Sequence, residues 1–195
     1  MATQPERRQA TRAAIVKAAK HLFGDRGFAA TTMDNVATAA HVAKGAVYHH
    51  FETKEALFEA VFDEVSRDIV TEVDQAARAE KDALAAMAAG TQAYFTACAT
   101  DATGQIILRD GPAVLGWERW REIDARHFGG GFSRALSRAM DDGLIARQSV
   151  DPLSRLLIGA VTEAAVACSA GGDVQKTGAE YTRAFQTLLN ALRTK

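Results

Sequence analysis

The segment "TTMDNVATAAHVAKGAVYHHFETKEALF", Thr31–Phe58, predicts two short helices with a tight connection, followed by a longer helix. The first short helix has Asp34 or Asn35 in its first turn, where a side-chain acceptor or a negative charge stabilises the free amides, and a preceding threonine can cap it. Thr53 can cap the longer helix, which we expect to extend over residues 54–78. Two short helices supported by a third are the outline of a helix-turn-helix.

The third helix of this unit precedes the quoted segment. Over residues 8–23, apolar side chains repeat at helical spacing, and the outer face of this helix is basic. Gly24 or Gly27 can supply the left-handed residue that ends it. We therefore expect residues 1–53 to form a three-helix domain with a helix-turn-helix, and residues 54–195 to form a second, helical domain.

The second short helix, residues 43–51, has the composition of a recognition helix that lies in the major groove of DNA. Its first residues are small, so the backbone can approach the bases closely, and Lys44 adds positive charge. Tyr48 and His49 can reach base edges or phosphates. Val47 should face inward and hold the helix on the rest of the unit.

Positive charge is concentrated in the same part of the chain. Residues 1–54 carry eight Lys and Arg against four Asp and Glu, whereas the remaining 141 residues carry fifteen against twenty. This distribution favours an anionic partner for the first domain. Lys54 adds charge beside helix-terminal amides that also favour phosphate, and we expect the side chains of Lys44 and Lys54 to be exposed.

The adjacent histidines, His49 and His50, raise the alternative of a metal site. Neighbouring side chains on a helix point about 100° apart, and the HxxxH spacing that places two imidazoles on one face is absent. The two cysteines, Cys98 and Cys168, each lie among apolar or small residues, which is more typical of reduced packing thiols than of a disulfide or of metal ligands. We therefore expect no metal and no other cofactor.

The overall composition is that of a globular protein, since 48% of the 195 residues are apolar. No apolar run approaches the roughly 18 residues that a membrane span needs, and the polar, basic beginning lacks the apolar segment of a secretory signal. We expect a cytoplasmic protein with no membrane partner.

Beyond the long helix the chain is predicted to form further helices without a strand pattern, so we expect an all-α fold. Breaks are expected at residues 100–104 and at the triple glycine 129–131, with a helix over 113–128 between them. Two more helices follow, the first of which begins at Asp151 and Pro152.

These last two helices carry more apolar surface than a single core uses. In the first of them, small and apolar residues cover more than half of the circumference, and such a helix is covered on more than one side. Either the helix is buried inside a monomer, or the pair packs against a second copy of the chain. The candidate interface residues are Leu157, Ala160, Ala164, Phe185, Leu188 and Leu192.

The helix over 113–128 places Trp117, Trp120 and His127 near one face. Such residues can line a ligand cavity or simply form core, and composition alone favours core. As an enzymatic alternative, Asp124 and His127 lie one turn apart and could serve acid-base or metal chemistry. No third ligand, nucleophile motif or phosphate loop accompanies them, so we expect no catalytic residues.

The stretch "TTMDNVATAAHVAKGAVYHHFETKEALFEAV" resembles the DNA-binding region of the tetracycline-repressor (TetR) family of bacterial transcriptional regulators, in which T-x-x-x-I-A is followed by K-G, Y-x-H-F and K-E-x-L. The resemblance covers about residues 8–62, with Val36 in place of the usual isoleucine and Ala43 where a hydroxyl residue is common. It implies a structural role for Phe51. It implies DNA contacts from Thr32, Lys44, Gly45, Tyr48, His49, His50 and Lys54.

The resemblance also implies how the second domain acts, with an inducer pocket among the central helices and a four-helix dimer interface formed by the last two. The expected ligand-binding residues are Phe95, Cys98, Trp117, Trp120 and His127. We expect a homodimeric repressor that binds a palindromic double-stranded DNA operator and is released by a small hydrophobic or amphipathic inducer. The alternative is a DNA-binding regulator without a small ligand.

Overall fold

The computed structural model describes residues 3–169 and 173–194. Within these ranges the regular secondary structure is helical, apart from one isolated β-bridge between Ile145 and Arg193, which confirms the expected all-α fold. None of these helices is both long and apolar enough to cross a bilayer. The helices are α1 (Gln4–Ala30), α2 (Met33–Ala39), α3 (Lys44–His50), α4 (Lys54–Arg78), α5 (Ala83–Cys98), α6 (Asp101–Gly104), α7 (Gly111–Leu115), α8 (Trp117–Asp141), α9 (Val150–Ser169) and α10 (Val174–Ala191), and a π-helical segment, Gln105–Asp110, joins α6 to α7.

The caps of the first short helix and of the long helix lie where the sequence predicts them. Thr32 precedes α2 and accepts a hydrogen bond from the backbone N–H of Asn35, whose side chain accepts one from the Thr32 N–H. Thr53 precedes α4 and accepts a hydrogen bond from the N–H of Ala56. Each such cap stabilises its helix by about 1 kcal/mol. The chain turns between α2 and α3 at His41, whose φ is 55°.

α1 is interrupted at Gly27, where φ is 76°, in the left-handed region that glycine adopts without steric cost. Gly24 stays helical instead and lies against α6, since a Cβ at Gly24 would lie only 2.8 Å from the Cβ of Ala102. Of the two predicted stops, Gly27 is therefore the one at which the regular helix ends. Gly24 lets α1 approach the second domain closely.

Aromatic rings pack α1 of the first domain against the start of α4. Phe23 and Phe58 are fully buried, and their ring centroids lie 5.3 Å apart in an edge-to-face arrangement. Burial of each ring contributes about 1.5–3 kcal/mol. Val47 and Phe51 are buried in the same cluster, as expected. α3 therefore buries one face and leaves the other free.

One predicted break is confirmed and one is wrong. The helix before residues 100–104 ends at Cys98, and residues 101–104 then form the separate helical turn α6. The triple glycine 129–131 instead lies inside α8, and the chain turns at Gly116, where φ is 76°. A glycine costs a helix about 1 kcal/mol but does not end it when packing on both sides holds the helix in place. Ile123 and Leu136, which flank the glycine run, are both fully buried.

Three of the six candidate interface residues are buried in the core of their own chain. Leu157, Ala164 and Phe185 pack on neighbouring helices of the same molecule, because α9 lies on α8 and α10 lies on α5. The expectation that these three side chains form a free face is therefore wrong. Ala160 and Leu192 are partly buried.

Other side chains make up the apolar surface that α9 and α10 leave exposed. Leu156 on α9 is 73% exposed, and Leu188 on α10 is 53% exposed. Tyr181, two turns before Leu188, is also exposed. Of the six candidate interface residues, Leu188 is the one that lies largely outside the core.

Candidate functional site

The free face of α3 gathers four of the residues that we expect to contact DNA. Lys44, Tyr48 and His49 are exposed, and Tyr48 retains 44% of its accessible surface. At Gly45, no atom of the described residues lies within 4 Å of the position that a Cβ would take. Because Val47 points the other way, into the core, this face can approach a second molecule closely. A helix presented in this manner can enter a major groove.

Helix α2 orients the lysine of this face. Lys44 Nζ lies 2.8 Å from Asp34 Oδ1 and 5.9 Å from the centroid of the Tyr48 ring. The hydrogen bond that Lys44 donates to Asp34, together with the charge of that carboxylate, raises the pKa of Lys44, so the amine stays protonated. The ion pair is exposed and adds little to stability, but it holds the cation beside Tyr48. Thr32 is exposed nearby at the start of α2, with its hydroxyl engaged as the cap.

Lys54 is not exposed as expected. Its Nζ donates hydrogen bonds to the carbonyl oxygens of Phe28, at 2.9 Å, and Thr31, at 3.0 Å, and lies 4.0 Å from the centroid of the Phe28 ring. The expectation of an exposed side chain is wrong because the ammonium group binds carbonyls at the end of α1, where the helical hydrogen-bond ladder stops. Of these, the Phe28 carbonyl also accepts from the Thr31 N–H. Lys54 therefore joins α1 to α4, and a DNA contact from it stays a prediction.

The basic face of α1 extends the surface of α3. His50 is partly buried against the first turns of α1, and this burial, with the charges of His49, Arg8 and Arg12, lowers its pKa. The guanidinium carbon of Arg12 lies 5.1 Å from the centroid of the Phe51 ring. The sequence pattern gives α1 a basic face without assigning contacts to it. The structure places Arg8 and Arg12 beside the two histidines.

The histidine pair does not gather further metal-binding groups. The rings of His49 and His50 lie 5.6 Å apart at an angle of 69°. Across residues 3–169 and 173–194, no three side chains of His, Cys, Asp or Glu come together as a metal ion would require.

The second domain contains a cavity of about 220 Å³ between α4, α5, α8 and α9. A cavity of about 150 Å³ lined by apolar side chains can hold benzene, so this volume suits one ring with a small substituent. The wall is mostly apolar, with a small number of polar groups. Its aromatic side chains are Tyr94, Trp120, Phe128 and Phe132. The charged or titratable side chains in the wall also include Asp74, Asp124, His127 and Arg134.

Of the five residues expected to bind a ligand, Trp120 and His127 line this cavity, whereas Phe95, Cys98 and Trp117 do not. Trp117 is 50% exposed at the start of α8. Phe95 packs against α10, at a position where a glycine leaves room for its ring. Cys98 is fully buried, and burial raises the pKa of its thiol.

Tyr94, Asp124 and Phe128 also line the cavity, although the sequence pattern does not assign them to ligand binding. Helical spacing could have identified the two residues on α8, because Asp124 and Phe128 follow Trp120 at intervals of four residues and share its face. Tyr94 comes from α5. The spacing of apolar residues within α5 and within α8 does not predict how the two helices pack against each other, so the sequence contained no signal for Tyr94.

His127 connects the cavity wall to α4. Its Nε2 lies 2.8 Å from Asp63 Oδ1, and Arg126 Nη2 lies 2.9 Å from the same oxygen. A carboxylate only accepts hydrogen bonds, so Nε2 must carry the proton. Burial acts to raise the pKa of Asp63, but the hydrogen bond and charge of His127, together with Arg126 and Arg67, hold it below its usual range.

Asp124 is the carboxyl group of the cavity wall on α8. It makes no hydrogen bond or ion pair with the residues that the structure describes. Burial raises its pKa to about 7, against the opposing charge of Arg121. The raised pKa means that this partly buried group ionises less readily than a carboxyl group in water.

Two families match this chain. Residues 15–61 match the bacterial regulatory proteins of the tetR family, and residues 84–192, more than half of the chain, match the tetracyclin repressor-like C-terminal domain. Among curated proteins, the transposon Tn10 TetC protein of Escherichia coli is 24% identical over 160 residues, which cover 80% of this chain and 79% of the relative.

Solved structures of other proteins share this fold over nearly the whole length of the chain. The crystal structure of a TetR-family transcriptional regulator from Pectobacterium atrosepticum has a TM-score of 0.88 and 28% identity, covering 100% of this chain and 99% of that one. RolR in complex with the ligand resorcinol has a TM-score of 0.74 and 17% identity, covering 98% and 99%, and this likeness shows the fold alone. The two family matches, one for each domain, show that the chain belongs to the TetR family of bacterial transcriptional regulators.

Proposed function

We propose that this regulator is a cytoplasmic, ligand-responsive repressor that binds a palindromic operator as a homodimer and is released by a small apolar or amphipathic inducer. The observation that carries the proposal is the course of α4. Its first residue, Lys54, holds the end of α1 in the DNA-binding domain, and two of its later residues, Val73 and Asp74, line the cavity. A ligand that shifts α4 therefore acts on both sites.

The free face of α3 supports the DNA-binding part of the proposal. Lys44 and Tyr48 project from it, and Gly45 leaves room for close approach. In a symmetric dimer, two such helices about 34 Å apart would read half-sites one DNA turn apart, which makes the operator an approximate palindrome.

The cavity supports the ligand-responsive part. It lies between helices of the second domain and is lined mainly by apolar and aromatic side chains. RolR, which shares the fold, was crystallised with resorcinol, a single substituted ring. The cavity volume of about 220 Å³ suits a ligand of that size.

The exposed apolar face of α9 and α10 supports the dimer. Leu156 and Leu188 would bury their largely exposed side chains against a second copy of the chain. Each would then contribute about 1.5–3 kcal/mol to association, before the entropy cost of binding.

The test begins with sequencing of the genomic fragments that the purified protein retains, which yields the operator. Anisotropy titrations on that operator should then show weaker binding for Lys44→Ala and for Tyr48→Ala than for Arg138→Ala, an exposed change on α8 far from the first domain. Equal binding by all three variants would contradict the assignment of α3.

A thermal-shift screen should find compounds that stabilise the protein and lower operator affinity. If no compound does so, the regulator works without a small ligand.

A further inference from the structure

The cavity wall contains a carboxyl group, Asp124, that makes no ion pair with any base in the described part of the chain. The bases nearest to it on α8 either point to solvent or bind other groups. Arg121, one turn earlier on α8, is exposed. His127 donates its Nε2–H in a hydrogen bond to Asp63 on α4. Arg134 also lines the cavity, but its Nη1 lies against Gly130, 3.1 Å from the position that a Cβ there would take, and it makes no ion pair with Asp124.

The other helices around the cavity bring no positive charge to Asp124. From α5, the groups near it are the Tyr94 hydroxyl and the Cys98 thiol, and burial raises the pKa of both. From α4, the wall receives Asp74, a second acid, and Glu72 lies near Cys98. The wall residues of α9 are uncharged: Ile158, Val161, Thr162 and Ala165. Within the described part of the chain, an ionised Asp124 therefore makes no ion pair, and the cation whose charge acts on it is the exposed Arg121.

Aromatic rings surround the same space. Tyr94 and Phe128 line it with their ring centroids 5.4 Å apart, in an edge-to-face arrangement, and Trp120 is almost completely buried beside them. Trp120 Nε1 has no hydrogen-bond partner among the described residues and is closed off from solvent, so Trp120 offers its ring rather than its N–H. Ring faces attract cations, and this attraction strengthens when water is excluded.

On the basis of the function proposed above, we propose that the inducer is a small organic cation, an amine carried on a body about the size of one aromatic ring. Its ammonium group pairs with Asp124, and its ring packs among Tyr94, Trp120 and Phe128. A buried carboxylate is costly unless it is paired, and an ammonium ligand supplies the missing charge together with a hydrogen-bond donor. A neutral ligand of the same size would leave this charge without a partner.

The test compares benzylamine with benzyl alcohol, two probes that differ only in the group placed on the same ring. Binding to the full-length protein is measured at pH 8 by calorimetry, with tryptophan fluorescence as a second readout. The parent protein should bind benzylamine about tenfold or more tighter than benzyl alcohol, because the alcohol cannot neutralise Asp124. Asp124→Asn should reduce this preference to about threefold or less, mainly by weakening benzylamine.

Asp141→Asn is the matched control, since it makes the same change at an exposed position of α8 away from the cavity. It should keep the parent's preference for benzylamine. Thermal unfolding of both variants establishes that they are folded. If Asp124→Asn does not fold, the affinity of the parent protein for the two probes is measured as a function of pH and tests the inference instead. Benzylamine should then lose affinity by about tenfold per pH unit below the pKa of Asp124, near 7, while benzyl alcohol does not.

Three results would overturn the inference: equal or tighter binding of benzyl alcohol by the parent, a preference for benzylamine that survives in Asp124→Asn, or no binding of either probe. None of these decides the proposed function, which is tested by operator binding and release. A protein that binds its operator and is released by a neutral compound would retain that function and lose only the cationic ligand.

Discussion

His127 in the wall of the cavity and Asp63 on α4 are joined by a hydrogen bond, with 2.8 Å between Nε2 and Oδ1. A second polar link between the same two helices runs from Arg119 Nε to Glu59 Oε1, at 3.2 Å. α8 therefore forms part of the cavity and is tied to the helix that leads to the DNA-binding domain. A ligand that displaces α8 acts on α4 through these contacts as well as through apolar packing.

Asp63→Asn should weaken the first link and lower the free energy of unfolding at pH 7 by about 1 kcal/mol, since the group is partly exposed. The folded-state pKa of Asp63 is depressed, so its contribution is present above the unfolded pKa, near 4, and is lost as the pH falls through the lower folded value. Urea unfolding at a series of pH values measures this. The parent and the variant should differ at pH 5 and converge in stronger acid. A constant difference at every pH would contradict this assignment.

Lys44→Ala and Lys54→Ala should differ, although both remove a lysine from the same region. Lys44→Ala should lower the salt slope of operator binding by about one and leave stability within about 0.5 kcal/mol. Lys54→Ala should instead lower the free energy of unfolding by about 1–3 kcal/mol, because the Phe28 and Thr31 carbonyls lose a charged donor. Salt titrations and urea unfolding of the two variants separate these effects. Equal stability would show that the contacts of Lys54 are not structural.

The features that the sequence predicted well depend on neighbouring residues. The caps at Thr32 and Thr53 require only a hydroxyl and the amides of the next turn, and both are where the pattern places them. The burial of Val47 follows from helical spacing alone. Such local features can be inferred from one segment without knowledge of the rest.

The features that the sequence missed depend on residues far away in the chain. Lys54 is partly buried because it meets carbonyls 26 and 23 residues earlier. The glycine run 129–131 stays helical because Ile123 and Leu136 are held by other helices. Trp117 and Trp120 share a helical face in the pattern, but Trp117 lies where the neighbouring helices no longer cover α8. Helical periodicity predicts which residues share a face of a helix, but only the packed structure shows how much of that face other helices cover.

Asp124→Asn should make the ligand-free protein more stable above neutral pH. The folded-state pKa of Asp124, about 7, lies above the unfolded value, so the folded state binds the extra proton and stability falls as the pH rises from about 4 to 7. At pH 8 the variant should exceed the parent by on the order of 2–4 kcal/mol, and the difference should disappear near pH 4. Urea unfolding of both proteins across this range is the measurement. A variant that is less stable at pH 8 would show that Asp124 is satisfied in the folded state.

Leu188→Asp should convert a dimer to a monomer while the fold survives, because this side chain is 53% exposed on a single chain. A charge at an apolar interface opposes association but costs a free surface little. Ala164→Asp is the contrasting variant, since Ala164 is buried in its own chain and the charge should unfold the protein instead. Sedimentation with circular dichroism distinguishes the two outcomes. A Leu188→Asp variant that remains dimeric at micromolar concentration would place the interface elsewhere.

The π-helical segment, Gln105–Asp110, contacts the end of α1. Asp110 Oδ2 accepts a hydrogen bond of 2.7 Å from the backbone N–H of Phe28, directly after the interruption at Gly27. The carbonyl of the same Phe28 accepts from Lys54 on α4. The end of α1 is thus held both by α4 and by the segment that leads to the cavity helix α8.

Asp110→Ala removes one of these two attachments. We expect operator affinity without ligand to change by less than about threefold, because α3 and its face are not altered. Allosteric coupling between sites typically amounts to about 5–150-fold in affinity. We expect this variant to lose part of it, because one attachment is removed while the attachment through Lys54 on α4 remains. Operator titrations with and without a compound that releases the parent measure the coupling, and Asp101→Ala, an exposed change on α6, is the control. If Asp110→Ala is released as readily as the parent, coupling runs through α4 alone.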